Sequence, residues 1–79
     1  MDVEVGALYE HFKGKRYRVL AVAHHSEDLQ PYVVYEALYH SEKFGDHSVW
    51  IRPLAMFVEQ VEVNGEKVPC FKNISTKQL

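Results

Sequence analysis

Residues 15–25, KRYRVLAVAHH, decide the fold class. Tyr17, Val19 and Val22 favour extended backbone, and no capping residue precedes the stretch to start a helix. Its middle, Val19-Leu20-Ala21-Val22-Ala23, is apolar at odd and even positions alike. That is the pattern of a strand inside a barrel rather than at a wet sheet edge.

The rest of the chain reads outward from this strand. Upstream, Val3 to Phe12 mixes apolar and polar residues around Gly6 as an irregular first strand, and Lys13-Gly14 makes the turn between them. Downstream, Ser26 to Pro31 is a polar connection. Tyr32 to His40 (YVVYEALYH) is the next strand, although Glu36-Ala37-Leu38 would also suit a helix. Ser41 to Asp46, with Gly45, forms a hairpin loop. Ser48 to Arg52 is a strand stopped by Pro53, which has no ladder donor. Pro53 to Phe57 suits one helical or 3₁₀ turn. Val58 to Val63 alternates, Asn64-Gly65 is the strongest turn signal in the chain, and Lys67 to Phe71 is the partner strand. The sum is a mostly-β fold: a small SH3-like five-stranded barrel with a one-turn 3₁₀ helix near residues 53–57 and a C-terminal β-hairpin. Residues 1–74 form one domain, and 75–79 read as a frayed tail.

At 79 residues the chain has room for one core. Domains of this size bury only about 60% of the surface their unfolded chains expose, so each large side chain matters. The ten aromatics (five Tyr, four Phe and one Trp) suit that need. No apolar run reaches the roughly 20 residues of a membrane span. The opening MDVEVG lacks the basic and apolar runs of a signal peptide. The single cysteine, Cys70, forms no internal disulfide, so the expected setting is the reducing cytoplasm. A net charge of −2 argues against strong non-specific nucleic-acid binding, yet Lys13, Lys15, Arg16 and Arg18 concentrate positive charge locally.

Three clusters stand out as candidate sites. On the Ser48–Arg52 strand, Trp50 and Arg52 share one face, because residues two apart on a strand always do. Two registers against Tyr32–His40 compete. One sets Tyr35 opposite Arg52 and Tyr39 opposite Ser48, which puts Tyr35, Tyr39, Trp50 and Arg52 on one surface and turns Glu36 inward with Val49 and Ile51. The other, preferred because it spares Glu36 burial, sets Glu36 opposite Arg52 and Leu38 opposite Trp50. Its core is Val33, Tyr35, Ala37, Tyr39, Val49 and Ile51, which leaves Trp50 and Arg52 outward or in a groove. An indole beside a guanidinium suits a planar or anionic ligand. The bland alternative is that Trp50 covers the barrel end and Arg52 pairs with Glu36.

The second cluster is His24-His25-Ser26-Glu27-Asp28. Neighbouring strand residues point to opposite faces, so His24 and His25 do not readily share a metal ion, and the spacing suits a self-bonded loop better than a triad. The third joins Tyr9, His11, Phe12 and Lys13 to Lys15-Arg16-Tyr17-Arg18. Interleaved aromatic and basic residues can stack single-stranded nucleic acid, but a solvated hairpin looks the same.

These residues also carry a resemblance. Tyr9-x-His11-Phe12-Lys13-Gly14-x-x-Tyr17-x-Val19, His25-Ser26-Glu27, Val34-Tyr35-x-Ala37-Leu38-Tyr39 and Trp50-x-Arg52-Pro53-x-x-Met56-Phe57 are similar to the small bacterial family known as domain of unknown function 1653. The likeness runs from about Gly6 to Phe71. Cys70 stands where the family's usual ending has a basic residue, and Ser41 to His47 is somewhat long for it. The resemblance implies a stand-alone bacterial, cytoplasmic domain, carries no reaction with it, and raises His25, Glu27, Trp50 and Arg52 above their neighbours.

The expectation is therefore a non-enzymatic binding module for a small anionic or planar ligand or a peptide, with no cofactor, no metal and no membrane partner. In it Trp50 stacks, Arg52 grips the anion, and His25, Ser26 and Glu27 contribute polar groups, with Glu27 orienting Arg52. The alternatives are a nucleic-acid-associated module using Lys13, Lys15, Arg16, Tyr17 and Arg18, and a small enzyme using His25 as base and Glu27 as its orienter.

Overall fold

Extended segments dominate, as the β-branched and aromatic residues dictate. The computed structural model describes residues 3–75, and just over half of them lie in strands. Strand β1 is Leu8–His11, β2 Arg16–His24, β3 Pro31–Ala37, β4 His40–Ser41, β5 Gly45–Asp46 and β6 Val49–Pro53. Helix α1 is Leu54–Phe57, followed by β7 Gln60–Val63, β8 Glu66–Pro69 and β9 Phe71–Asn73. The frayed tail expected from 75 onward falls on residues 76–79, outside the described ones, apart from Ser75. The Ser75 amide donates to Asn73 Oδ1 at 2.9 Å.

One antiparallel sheet of five strands, in the order β6-β3-β2-β1-β9, carries the fold, with β4–β5 and β7–β8 as separate two-stranded ribbons. The mostly-β reading holds, but the ladder does not close, since β6 and β9 are edges. In a flat sheet those edges would stand four strand spacings apart, about 19 Å. Here the Arg52 guanidinium carbon on β6 lies 5.6 Å from the centre of the Phe71 ring on β9. The sheet is rolled far enough for one long side chain to reach from one edge strand to the other, while no hydrogen bond joins the two among the described residues.

The fifth strand differs from expectation. Of the expected Val58–Val63 strand Gln60–Val63 forms, and among the described residues it pairs only within its own hairpin, closed by Asn64 (φ 52°) and Gly65 (φ 82°), the left-handed pair that a type I′ turn requires. The sheet's fifth strand is Phe71–Asn73, lying against β1 with Tyr9 opposite Asn73. The helical turn also differs. Val58 N–H bonds Leu54 C=O at 3.1 Å, so the turn is α rather than 3₁₀, and Pro53 caps it instead of starting it.

The core lies inside the roll: Ala7, Tyr9, Val19, Val33, Tyr35, Ala37, Phe57, Cys70 and Phe71. Phe57 stacks on Phe71 with centroids 4.2 Å apart and meets Tyr9 and Tyr35 edge-on, both at 5.4 Å. Val33, Tyr35 and Ala37 are core residues as expected, but β6 is turned over. Its register pairs Tyr35 with Trp50 and Val33 with Arg52, two residues from the register with Tyr35 opposite Arg52 and three from the preferred one with Glu36 there. Trp50 and Arg52 therefore face the core side, while Val49 and Ile51 are 59% and 63% exposed. Glu36 shares their outer face and accepts from or pairs with His47 Nδ1 at 2.9 Å, so it escapes burial without Arg52. Aromatic bulk explains the inversion: the rings of Tyr35, Phe57 and Phe71 fill the roll, and Trp50 packs against them.

Candidate ligand-binding site

The rolled sheet gathers polar and aromatic groups from four strands around Arg52. Strand alternation turns Arg52 inward on β6, Tyr35 inward on β3, Tyr17 inward on β2 and Phe71 inward on β9. The Tyr17 ring meets Tyr35, Tyr39 and Phe71 edge-on at 5.2, 5.6 and 5.7 Å. The hydroxyls of Tyr17 and Tyr39 are 2.8 Å apart and hydrogen-bonded. Lys15 holds its ammonium 4.5 Å over the Tyr39 ring, at the rim. Next along β6, Trp50 is half-buried, donates Nε1–H to Ser48 Oγ at 2.8 Å and takes Phe44 edge-on at 4.9 Å.

Arg52 itself is half-buried and short of partners. Its Nε is buried without any hydrogen-bond acceptor. Among the described residues, no carboxylate comes within 4.0 Å of the guanidinium. Its charge reaches the groups around it. Burial pushes the Tyr35 phenol up, and Arg52 draws it partly back down. Burial and then the Tyr39 hydrogen bond push Tyr17 up, again with Arg52 opposing. The buried Cys70 thiol is raised by burial and opposed by the same guanidinium, which makes it a poor nucleophile at neutral pH.

Burial, followed by the charges of Arg52 and Lys13, holds the His11 imidazole below its ordinary value of 6.5. The unfolded chain then binds this proton more readily than the folded one. His11's contribution to stability is therefore present above pH 6.5 and is lost as pH falls through its lower folded value. An NMR titration of the His11 imidazole is expected to give a midpoint below 6.5. A midpoint at or above that value would mean that neither burial nor the Arg52 and Lys13 charges act on the ring.

His11 is also a shared wall. Its ring meets Phe71 at 5.0 Å, and it lines a groove of about 390 Å³ together with Phe12, Val63, Val68, Pro69 and Lys72. That volume lies within the range of ligand sites. A second hollow of about 370 Å³, between Pro31, Tyr32, Pro53, Leu54 and Val58, has no charged lining residue to orient a ligand.

The family model for a protein of unknown function, DUF1653, matches residues 7–73, which takes in every strand just described. The chain belongs to the DUF1653 family. A crystal structure of a DUF1653 protein from Bordetella bronchiseptica superimposes with a TM-score of 0.81 at 27% identity, covering 99% of this chain and 95% of that one. No curated protein matches the chain.

In this DUF1653 domain the residues singled out from sequence separate into four places. Trp50, Arg52, Tyr17 and Lys15 belong to the aromatic cluster. Arg16 and Arg18 take the opposite face, where Arg16 Nε lies 3.9 Å from a Glu10 carboxylate oxygen and Arg18 donates to the Gly6 carbonyl at 2.9 Å. Lys13 sits over Phe12 at 5.9 Å. His25, Ser26 and Glu27 form an exposed loop at the tip of β2 that bonds to itself. The Glu27 carboxylate accepts from Ser26 Oγ at 3.0 Å, and the Glu27 amide donates to His25 Nδ1 at 3.1 Å. Glu27 thus does not orient Arg52, and its carboxylate does not hold His25. Among the described residues no group of three metal-ligating side chains gathers, and no helix is long and apolar enough to cross a membrane. Tyr35 and Tyr39 share a surface with Trp50 and Arg52 only in the register that the sequence disfavours; the preferred register counts both as core, so neither is named there as a site residue.

Proposed function

We propose that the domain is a non-catalytic binding module for a small anionic ligand carrying a planar portion. The observation that carries this reading is the half-buried Arg52 guanidinium, framed by Tyr17, Tyr35 and His11 and facing no described carboxylate. A guanidinium withdrawn from water is costly unless something compensates it, and a planar fork of donors matches a carboxylate or phosphate. Tyr39 and Trp50 supply aromatic surface beside it, and Lys15 adds a second cation at the rim. His25, Ser26 and Glu27 have no part in this version of the site.

The nucleic-acid reading draws less support from the geometry, because Arg16 and Arg18 leave the face that Tyr17 and Lys15 share. The enzymatic reading lacks the hydrogen bond between base and orienting carboxylate on which it depends.

Trp50, the single tryptophan, is the reporter. Titration with adenosine monophosphate, inorganic phosphate, adenosine and a carboxylate-terminated peptide is expected to give a saturable fluorescence change with the planar anion. A weaker response to phosphate and none to adenosine should accompany it. Arg52→Met should abolish the response. A flat titration with every probe at millimolar concentration, or an undiminished response in Arg52→Met, would reject the reading.

A further inference from the structure

Strand β6 is an edge, and its two faces and two sides are used unequally. The Ala37 amide donates to the Ser48 carbonyl at 2.8 Å, which fixes which β6 backbone groups point toward β3. In an antiparallel ladder these alternate, so Trp50 and Arg52 also turn their N–H and C=O toward β3. Val49 and Ile51 turn theirs away from the sheet. No backbone partner meets those groups among the described residues, and both side chains are more than half exposed.

Edges of this kind are ordinarily protected by an outward charge, a bulge or an early proline. β6 has none of these along Val49–Ile51: its charge, Arg52, is folded inward, and Pro53 stands only at the far end. The other edge, β9, is three residues long and carries exposed Lys72.

We infer that β6 is a self-pairing edge through which two copies of this chain join their sheets. The occupant is set by hydrogen-bond complementarity. If two β6 strands lie antiparallel about a two-fold axis at Trp50, Val49 faces Ile51 of the second copy and Ile51 faces its Val49. Both pairs then exchange N–H and C=O, so every outward backbone group of the two residues is satisfied at once. The same register places aliphatic side chains opposite one another on the outer face, where β-branched cross-strand pairs are favourable. Pro53, without an N–H, ends the ladder. The sheets become one sheet of ten strands, and the two Trp50 residues come to lie opposite each other across the axis.

Sedimentation velocity from low micromolar to millimolar concentration is expected to show a monomer–dimer equilibrium. Ile51→Lys places a charge on an exposed position of the edge twice per dimer and should weaken association by at least about tenfold, with the monomer's thermal unfolding unchanged. Hydrogen exchange gives the backbone readout. Protection of the Val49 and Ile51 amides should rise with concentration, while the Trp50 and Arg52 amides, bonded to β3, stay protected throughout. A monomer at all concentrations, a dimer indifferent to Ile51→Lys, or capture of an extended peptide by a monomeric chain would overturn self-pairing.

Discussion

Replacing Phe57 by alanine is expected to cost about 3–5 kcal/mol, enough to leave the domain largely unfolded or close to it at room temperature. Phe57 is 1% exposed and touches the rings of Tyr9, Tyr35 and Phe71. It comes from the one-turn helix α1, and the rings around it are held on three different strands, so they close little of the space it leaves. For a domain of this size the loss corresponds to a drop in melting temperature on the order of 20 °C. Phe57→Leu keeps much of the volume and should lose only a third or so of that stability. Thermal melts followed by far-ultraviolet circular dichroism decide the matter. An alanine variant melting within a few degrees of the parent would mean that the aromatic stack is not the centre of the core.

Arg52→Met has the second large effect, and it runs in opposite directions for binding and for stability. Methionine matches much of the arginine stem and keeps a favourable contact with Phe71, since sulfur beside an aromatic ring substitutes for a cation over it. It removes a half-buried charge and an unpaired Nε. Replacing such a group by an apolar side chain of similar volume is typically neutral or stabilising, here by up to about 2 kcal/mol. The variant should therefore melt at or above the parent temperature while losing the ligand response. Urea unfolding alongside the Trp50 titration tests both halves. A loss of more than about 1 kcal/mol would make Arg52 a structural residue and take away the reason for assigning it to a ligand.

The sequence made some of this legible and hid the rest for definite reasons. Asn64-Gly65 announced its hairpin, because few residue pairs accept positive φ twice in succession. The spans of β2 and β6 followed from β-branched and aromatic residues, and Pro53 marked where β6 stops, whereas β3 ends at Ala37, short of the expected His40, which opens the β4–β5 ribbon instead. What period-two alternation could not say was which face of Val49-Trp50-Ile51-Arg52 is the inside. Two aliphatics usually outrank a tryptophan and an arginine for burial, and here a core built of rings reversed the order.

Strand β9 was hidden for another reason. Three residues carry too little pattern to be read, and their partner, β1, is sixty or more positions away. The site followed the same division. Trp50 and Arg52 were visible as a pair, but Tyr17 and Lys15 joined them only because the roll brings β2 round to face β6. The His25-Ser26-Glu27 loop looked chemically rich because it satisfies its own hydrogen bonds, not because it faces the cluster.

The contact between β1 and β9 also bears on how this chain folds. Asn73 Nδ2 reaches Glu4 Oε1 at 3.0 Å across 69 positions, and Phe71, the ring against which four others rest, arrives by the same closure. No contiguous stretch of the chain contains the core, so the local hairpins gain little until the ends are brought together. Chains whose native contacts are this distant in sequence fold on the order of milliseconds to seconds rather than microseconds. Until β9 docks, β1 is a second open edge beside β6, and the time spent in that state sets how exposed a newly made chain is to association with its neighbours.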